Sequence, residues 1–169
     1  ALLPNAECVR PGTVSALASA LDNGALSVER EGISAKIESL IGVIALDEAG
    51  EILASALKER LAMQLDFISV RAQSTSLVPA DQAALERARR AISSIAVPDE
   101  AIEAICSACL ALGIGSMRAG SFAIKVARAS AALAGRETIE NEDLAFAVRL
   151  VLAPRATQVP SEQPEMDEA

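Results

Sequence analysis

The sequence predicts an α/β segment followed by an all-helical one, and three observations carry that prediction. The 169-residue chain is 51% apolar, Ala and Leu dominate it, and three Phe are its only aromatics. That composition favours helix. Residues 1–70 alternate short apolar runs with helical stripes, the pattern of an α/β layer. Beyond the polar stretch "RAQSTSLVPAD", apolar residues recur at helical spacing throughout.

The opening "ALLPNAECVR" reads as the tail of a buried strand. In "RPGTVSALASALDNG", Val14, Leu17, Ala18 and Leu21 form a helical stripe; Pro11 suits the first turn and Gly24 the stop. "ALSVEREGISAKIES" alternates apolar and polar residues on both sides of Glu31-Gly32, which predicts a β-hairpin with glycine at the reversal. The continuous apolar run "LIGVIALD" (40–47) predicts a strand covered on both faces. A helix over 51–62 should offer Ala56, Leu57, Leu61 and Met63 to a core, and a short strand is expected at 65–70. Four helices then follow over about 79–95, 98–112, 116–134 and 141–153. Pro79 and Pro98 stand at first turns, and Gly113, Gly115 and Gly135 punctuate.

The division is therefore 1–70 as a partial α/β subdomain whose start is missing, 71–78 as a hinge, 79–154 as a helical subdomain, and 155–169 as the start of an acidic, proline-bearing linker. Both ends read as cut from something longer.

Composition also excludes. The formal charge is −8, whereas nucleic-acid surfaces need clustered Lys and Arg, and single-strand platforms need aromatics. The absence of His removes Ser-His-Asp and Cys-His catalysis and the commonest zinc ligand. Cys8, Cys106 and Cys109 are an odd set. The CxxC lies inside a helical run without a second pair, so core thiols are expected rather than a redox or metal site. No apolar run approaches the roughly 20 residues of a membrane span. The expectation is a soluble protein of a reducing compartment, cytoplasmic in preference to plastid stroma.

Several blocks carry a resemblance: "VEREGIS" (28–34), "LKERLAM" (57–63), "GSMRAGSFAIKVARASAALAGRETIENEDL" (115–144) and "LVLAPRATQVP" (150–160). Together, and in this order, they resemble the AAA+ subunits of magnesium chelatase, which inserts Mg²⁺ into protoporphyrin IX for chlorophyll or bacteriochlorophyll. The resemblance implies the back half of an AAA+ α/β core with its hairpin before sensor 1, followed by the helical lid. It places Pro4 and Asn5 where the hydrolysing I subunit carries an Asp-Glu pair for Mg²⁺ and water, and Asp47 at the sensor-1 Asn. Neither Pro4 nor Asn5 can act as a carboxylate, and Asp47 would repel a γ-phosphate. No GxxxxGK[ST] occurs in the chain. The chain is thus similar to the non-hydrolysing D subunit. By that resemblance Arg60 corresponds to the arginine finger and Arg118 to sensor 2. ATP and Mg²⁺ would be met at the interface with a partner: the ATP-hydrolysing I subunit or another D subunit in a ring. The porphyrin-binding H subunit would be the further partner.

Bland readings stand beside these. Arg60 suits a solvated helix end, where a cation favours the carboxyl-terminal dipole; alternatively it reaches a phosphate held by a neighbour. Arg118 opens a helix, where a cation opposes the dipole, so it needs an anionic partner: a nucleotide, or Asp99 or Glu100 within the chain. Lys125 and Arg128 read as a solvated stripe, and Glu29 and Glu31 as exposed turn charges. Two rival functions remain: an active MoxR-type or I-type AAA+ ATPase, which Pro4, Asn5 and Asp47 oppose, and a structural helical adaptor whose arginines never touch nucleotide.

Overall fold

The computed structural model describes residues 1–30, 32–47, 53–67 and 81–158. Contacts divide the chain into two compact units, Ala1–Leu61 and Ala62–Ala169.

The first unit contains β1 (Leu2–Leu3), α1 (Pro11–Asn23), β2 (Ala25–Arg30), β3 (Ile33–Glu38), β4 (Ile44–Ala45) and α2 (Ser55–Lys58). Helix α1 starts as its proline requires: Arg10 before it is extended and Pro11 occupies the first turn. It stops at Gly24, whose φ of 61° is left-handed and whose N–H donates to Ala20 O at 2.9 Å. Strands β2 and β3 form the expected antiparallel hairpin, paired from Ala25↔Glu38 to Arg30↔Ile33, with Gly32 at φ 78° in the loop. Strands β1 and β4 pair in parallel, Leu2 with Ile44 and Leu3 with Ala45. Ala6, Val14, Ala18, Ala20, Ala25 and Leu57 are buried and make a small core.

Two expectations fail in this unit. The run 40–47 gives only the two-residue β4, and it is not covered on both faces: Leu40 is 94% exposed and Ile44 63%. Its one strand neighbour among the described residues is β1, so its apolar side chains find no second layer. The helix placed over 51–62 is described only as Ser55–Lys58, with Leu57 fully buried and Met63 52% exposed.

The second unit is the predicted helical assembly: α3 (Gln82–Ala91), α4 (Asp99–Ala111), α5 (Met117–Leu133) and α6 (Asn141–Ala147). Helix α6 runs on through a π-helical turn, Val148–Leu152, and a 3-10 turn, Ala153–Arg155. At the start of α3, the Asp81 carboxylate accepts from Ala83 N at 2.9 Å. Pro98 caps α4, and Asp99 and Glu100 in its first turn complement the dipole. Along α5, Ala119, Ala123, Ala127 and Ala131 recur every fourth residue with at most 2% exposure. This methyl-only stripe lets α3, α4 and α6 approach closely around α5. Ile105, Ile139, Val151 and Leu152 complete the core.

No strand forms at 65–67, contrary to expectation; residues 68–70 lie outside the described residues. The chain just before that stretch is engaged elsewhere. Pro154 has no N–H to give the Leu150 carbonyl four residues back, and that carbonyl accepts from Gln64 N at 3.1 Å instead. Arg155 Nη1 donates to Ala62 O at 3.1 Å and to Val151 O at 2.6 Å. Residues 62–64 are thereby tied to the end of α6 rather than to a sheet. Pro79, the hinge 71–78, Glu31 and the acidic residues 159–169 also fall outside the described residues. No helix among the described residues is long and apolar enough to cross a membrane.

Candidate functional site

The parallel β1–β4 pair brings together Pro4, Asn5 and Asp47, the three positions singled out by the resemblance. Beyond the strands, Leu46 N donates to Leu3 O and Ala6 N to Leu46 O, both at 2.9 Å, so the segments leaving β1 and β4 stay side by side. Pro4 and Asn5 follow β1 and Asp47 follows β4; all three are exposed. They share the carboxyl end of a parallel pair, where α/β folds place their chemistry. Asn5 sits at φ 54°, a left-handed conformation that Asn tolerates better than most residues. The three side chains themselves are a proline ring, a carboxamide and a carboxylate. They do not match a nucleotide-bound Mg²⁺, which takes carboxylates together with phosphate oxygens. Among the described residues no group of three or more His, Cys, Asp or Glu side chains could hold a metal ion.

Arg60 lies two residues beyond α2. Fully buried Leu57 anchors that short helix. The guanidinium is engaged within its own chain: Nε and Nη2 donate to Asp22 Oδ2 at 2.9 and 2.5 Å, and Nη1 donates to Ala56 O at 2.6 Å. The Arg60 and Asp22 side chains are 20% and 26% exposed. Neither bland solvation nor unrestrained projection describes this arginine. Asp22 was not singled out from the sequence. The available signal was its place in the last turn of α1, where a carboxylate opposes the helix dipole and calls for a cation.

Arg118 is the second residue of α5 and is exposed. Of its basic neighbours, Lys125 is exposed as expected, whereas Arg128 is less solvated than its spacing suggested. Arg128 Nη2 donates to Ile92 O and Ser93 O, both at 2.9 Å, and so caps the carboxyl end of α3. Lys125 Nζ stands 5.8 Å from the centroid of the Phe122 ring. The CxxC thiols depart in part from expectation: Cys106 is exposed, and Cys109 is half-buried against the core; Cys8 is exposed. Burial, and secondarily the nearby Cys106, push the Cys109 thiol up, away from the thiolate.

The strongest electrostatic feature of the helical unit went unpredicted. Asp143 is fully buried; its Oδ1 accepts from Arg136 Nη2 at 2.6 Å and its Oδ2 from Glu140 N at 3.0 Å. With the Glu140 side chain accepting from the Asp143 amide, this is a reciprocal capping box. Burial alone would raise the Asp143 carboxyl, but hydrogen bonds from Ser130, the Glu140 amide and Arg136 outweigh it and hold the carboxyl below its ordinary value. The Glu140–Asp143 spacing was the legible signal.

Comparison with known proteins places the chain. Residues 102–169 match the AAA lid domain family. The Magnesium-chelatase 60 kDa subunit of Rhodobacter capsulatus is 40% identical over 118 residues, 68% of this chain. The Magnesium-chelatase 67 kDa subunit of Chlorobaculum parvum is 32% identical over 172 residues, 89% of this chain. The chain spans 21% and 28% of the length of those two relatives. In fold, a crystal structure described as an ATPase of Cytophaga hutchinsonii superposes with a TM-score of 0.62 at 15% identity, over 89% of this chain and 56% of that one. Over the segment shared with these relatives, the chain belongs to the family of magnesium-chelatase 60 and 67 kDa subunits and carries an AAA-type lid.

Proposed function

We propose that this chain is the AAA+ part of a platform subunit of magnesium chelatase. The subunit does not hydrolyse ATP itself; it assembles with a hydrolysing AAA+ subunit and with further copies of itself in a ring. The movement so driven passes to the porphyrin-binding subunit, where Mg²⁺ enters protoporphyrin IX in (bacterio)chlorophyll synthesis, in the cytoplasm or a plastid stroma. The observation that carries this reading is the kinship with the 60 and 67 kDa subunits over most of the chain. The non-hydrolysing part is supported by Pro4 and Asn5, neither of them a carboxylate, and by Asp47, all three at the carboxyl end of the β1–β4 pair.

On this reading Arg60 and Arg118 are the residues directed at nucleotide, Arg60 towards phosphate oxygens held by a neighbouring subunit. A guanidinium delivered from outside stabilises charge on the transferring phosphoryl group and needs no working site in its own subunit. The test uses the full-length subunit reconstituted with its ATPase partner and the porphyrin-binding subunit. Arg60→Ala should leave assembly intact and lower ATP turnover at the sites it faces by about 10³-fold. Normal turnover and normal Mg²⁺ insertion by an assembled Arg60→Ala complex would refute the role. Robust hydrolysis by the wild-type subunit alone would refute the platform assignment.

A further inference from the structure

We propose that Asp22 is the positioning residue for Arg60, holding one edge of the guanidinium so that the other is presented to a neighbour's phosphate. The inference rests on the reading of Arg60 given above. An arginine has five N–H donors, and three are used here: Nε–H and one Nη2–H on Asp22 Oδ2, and one Nη1–H on Ala56 O. Each terminal nitrogen therefore keeps one N–H, on a side chain that is 20% exposed. Two N–H groups on adjacent terminal nitrogens are the fork that takes a phosphate or carboxylate end-on.

The anchoring comes from two separate elements. Asp22 stands in the last turn of α1, and the Ala56 carbonyl belongs to the turn that fully buried Leu57 pins at α2. A guanidinium fixed from two elements is oriented before any partner arrives, and pre-organisation is where a finger's advantage lies. A carboxylate in the last turn of a helix opposes the dipole, so its place is compensated by the cation it holds. The opposite hypothesis makes Asp22 a competitor that sequesters Arg60 until docking. It predicts the opposite sign on removal of the charge.

The experiment measures ATP turnover by the ATPase partner while the full-length subunit carrying Asp22→Asn is titrated in, beside Arg60→Ala and the double variant. Positioning predicts about a tenfold fall in turnover at saturating subunit, the scale of a modest misplacement of a catalytic group. The half-saturating subunit concentration and the KM for ATP should stay within about twofold, and Asp22→Glu should recover part of the loss. The double variant should be no worse than Arg60→Ala alone. Raised or unchanged turnover in Asp22→Asn overturns positioning. So does a loss seen only as weaker docking, which marks a structural brace. If Arg60→Ala is itself fully active, the reading of Arg60 fails; if Arg60→Ala is impaired and Asp22→Asn is normal, only the positioning fails. A second measurement needs no variant: the Arg60 Nε–H NMR signal of the wild-type chain should be slowly exchanging, and a freely exchanging one overturns the proposal.

Discussion

Replacing Asp143 with alanine should be among the more damaging single changes in the helical unit, and its size follows from what the carboxylate touches. It is fully buried, takes Arg136 Nη2 at 2.6 Å and the Glu140 amide at 3.0 Å, and accepts from Ser130. Loss of the cap costs about 1 kcal/mol. Removing one member of a buried ion pair costs about 3–5 kcal/mol when the partner is stranded. Arg136 is not fully stranded: its side chain is 25% exposed, and Glu140 and Glu142 oxygens lie 3.7 and 3.9 Å away. Solvent and these substitutes reduce the pair's share, leaving a total of about 2–3 kcal/mol. For a unit of this size that is a fall in Tm of about 10–20 °C. Thermal unfolding of the chain at neutral pH, followed by far-UV circular dichroism, measures it. Asp143→Asn keeps the volume and an acceptor and loses only the charge, so about half the effect is expected. An Asp143→Ala chain melting within about 3 °C of wild type would refute the argument.

Two further outcomes follow from the same unit. Because hydrogen bonds hold the Asp143 carboxyl below its unfolded value of about 3.9, its stabilisation is complete above that pH and is lost as pH falls through the lower folded value. Urea midpoints of wild type and Asp143→Asn should therefore converge as pH falls from 7 to below about 4, and a constant gap would remove Asp143 from the acid response. Gly113 sits at φ 65°, and a Cβ there would overlap Thr157 Oγ1 and stand 2.9 Å from Gln158 Cγ. Gly113→Ala should cost about 1–2 kcal/mol from the left-handed backbone alone, read as a lowered urea midpoint. It should also expose the 157–158 segment to protease, since Thr157 N no longer reaches Leu112 O at 2.9 Å.

Local rules were legible wherever the chain decides its own conformation. Pro11 and Gly24 bounded α1, Gly32 marked the hairpin, and the alanines and leucines of 98–134 announced α4 and α5 within a residue or two, because proline, glycine and periodicity act over a few residues. The long apolar run 40–47 and the apolar residues at 65–67 misled, because a strand needs a neighbour to pair with and a layer to cover it. At 62–64 the backbone groups are taken by Leu150 and Arg155 instead. The same limit hid the electrostatics. Sequence marked Arg60 and read Arg128 as solvated, yet Asp22 lies 38 residues before Arg60, and the carbonyls that Arg128 caps lie 36 and 35 residues before it.

By itself, then, the sequence determined the α/β-then-helical order, the lid helices and the kinship those blocks imply. The tertiary structure alone decided which anions hold which cations: Asp22 with Arg60, Asp143 with Arg136. The physical reason is one of range. Helix stops and turns are settled by neighbours along the chain, whereas a pair such as Asp22 with Arg60, 38 residues apart, depends on where two elements come to rest.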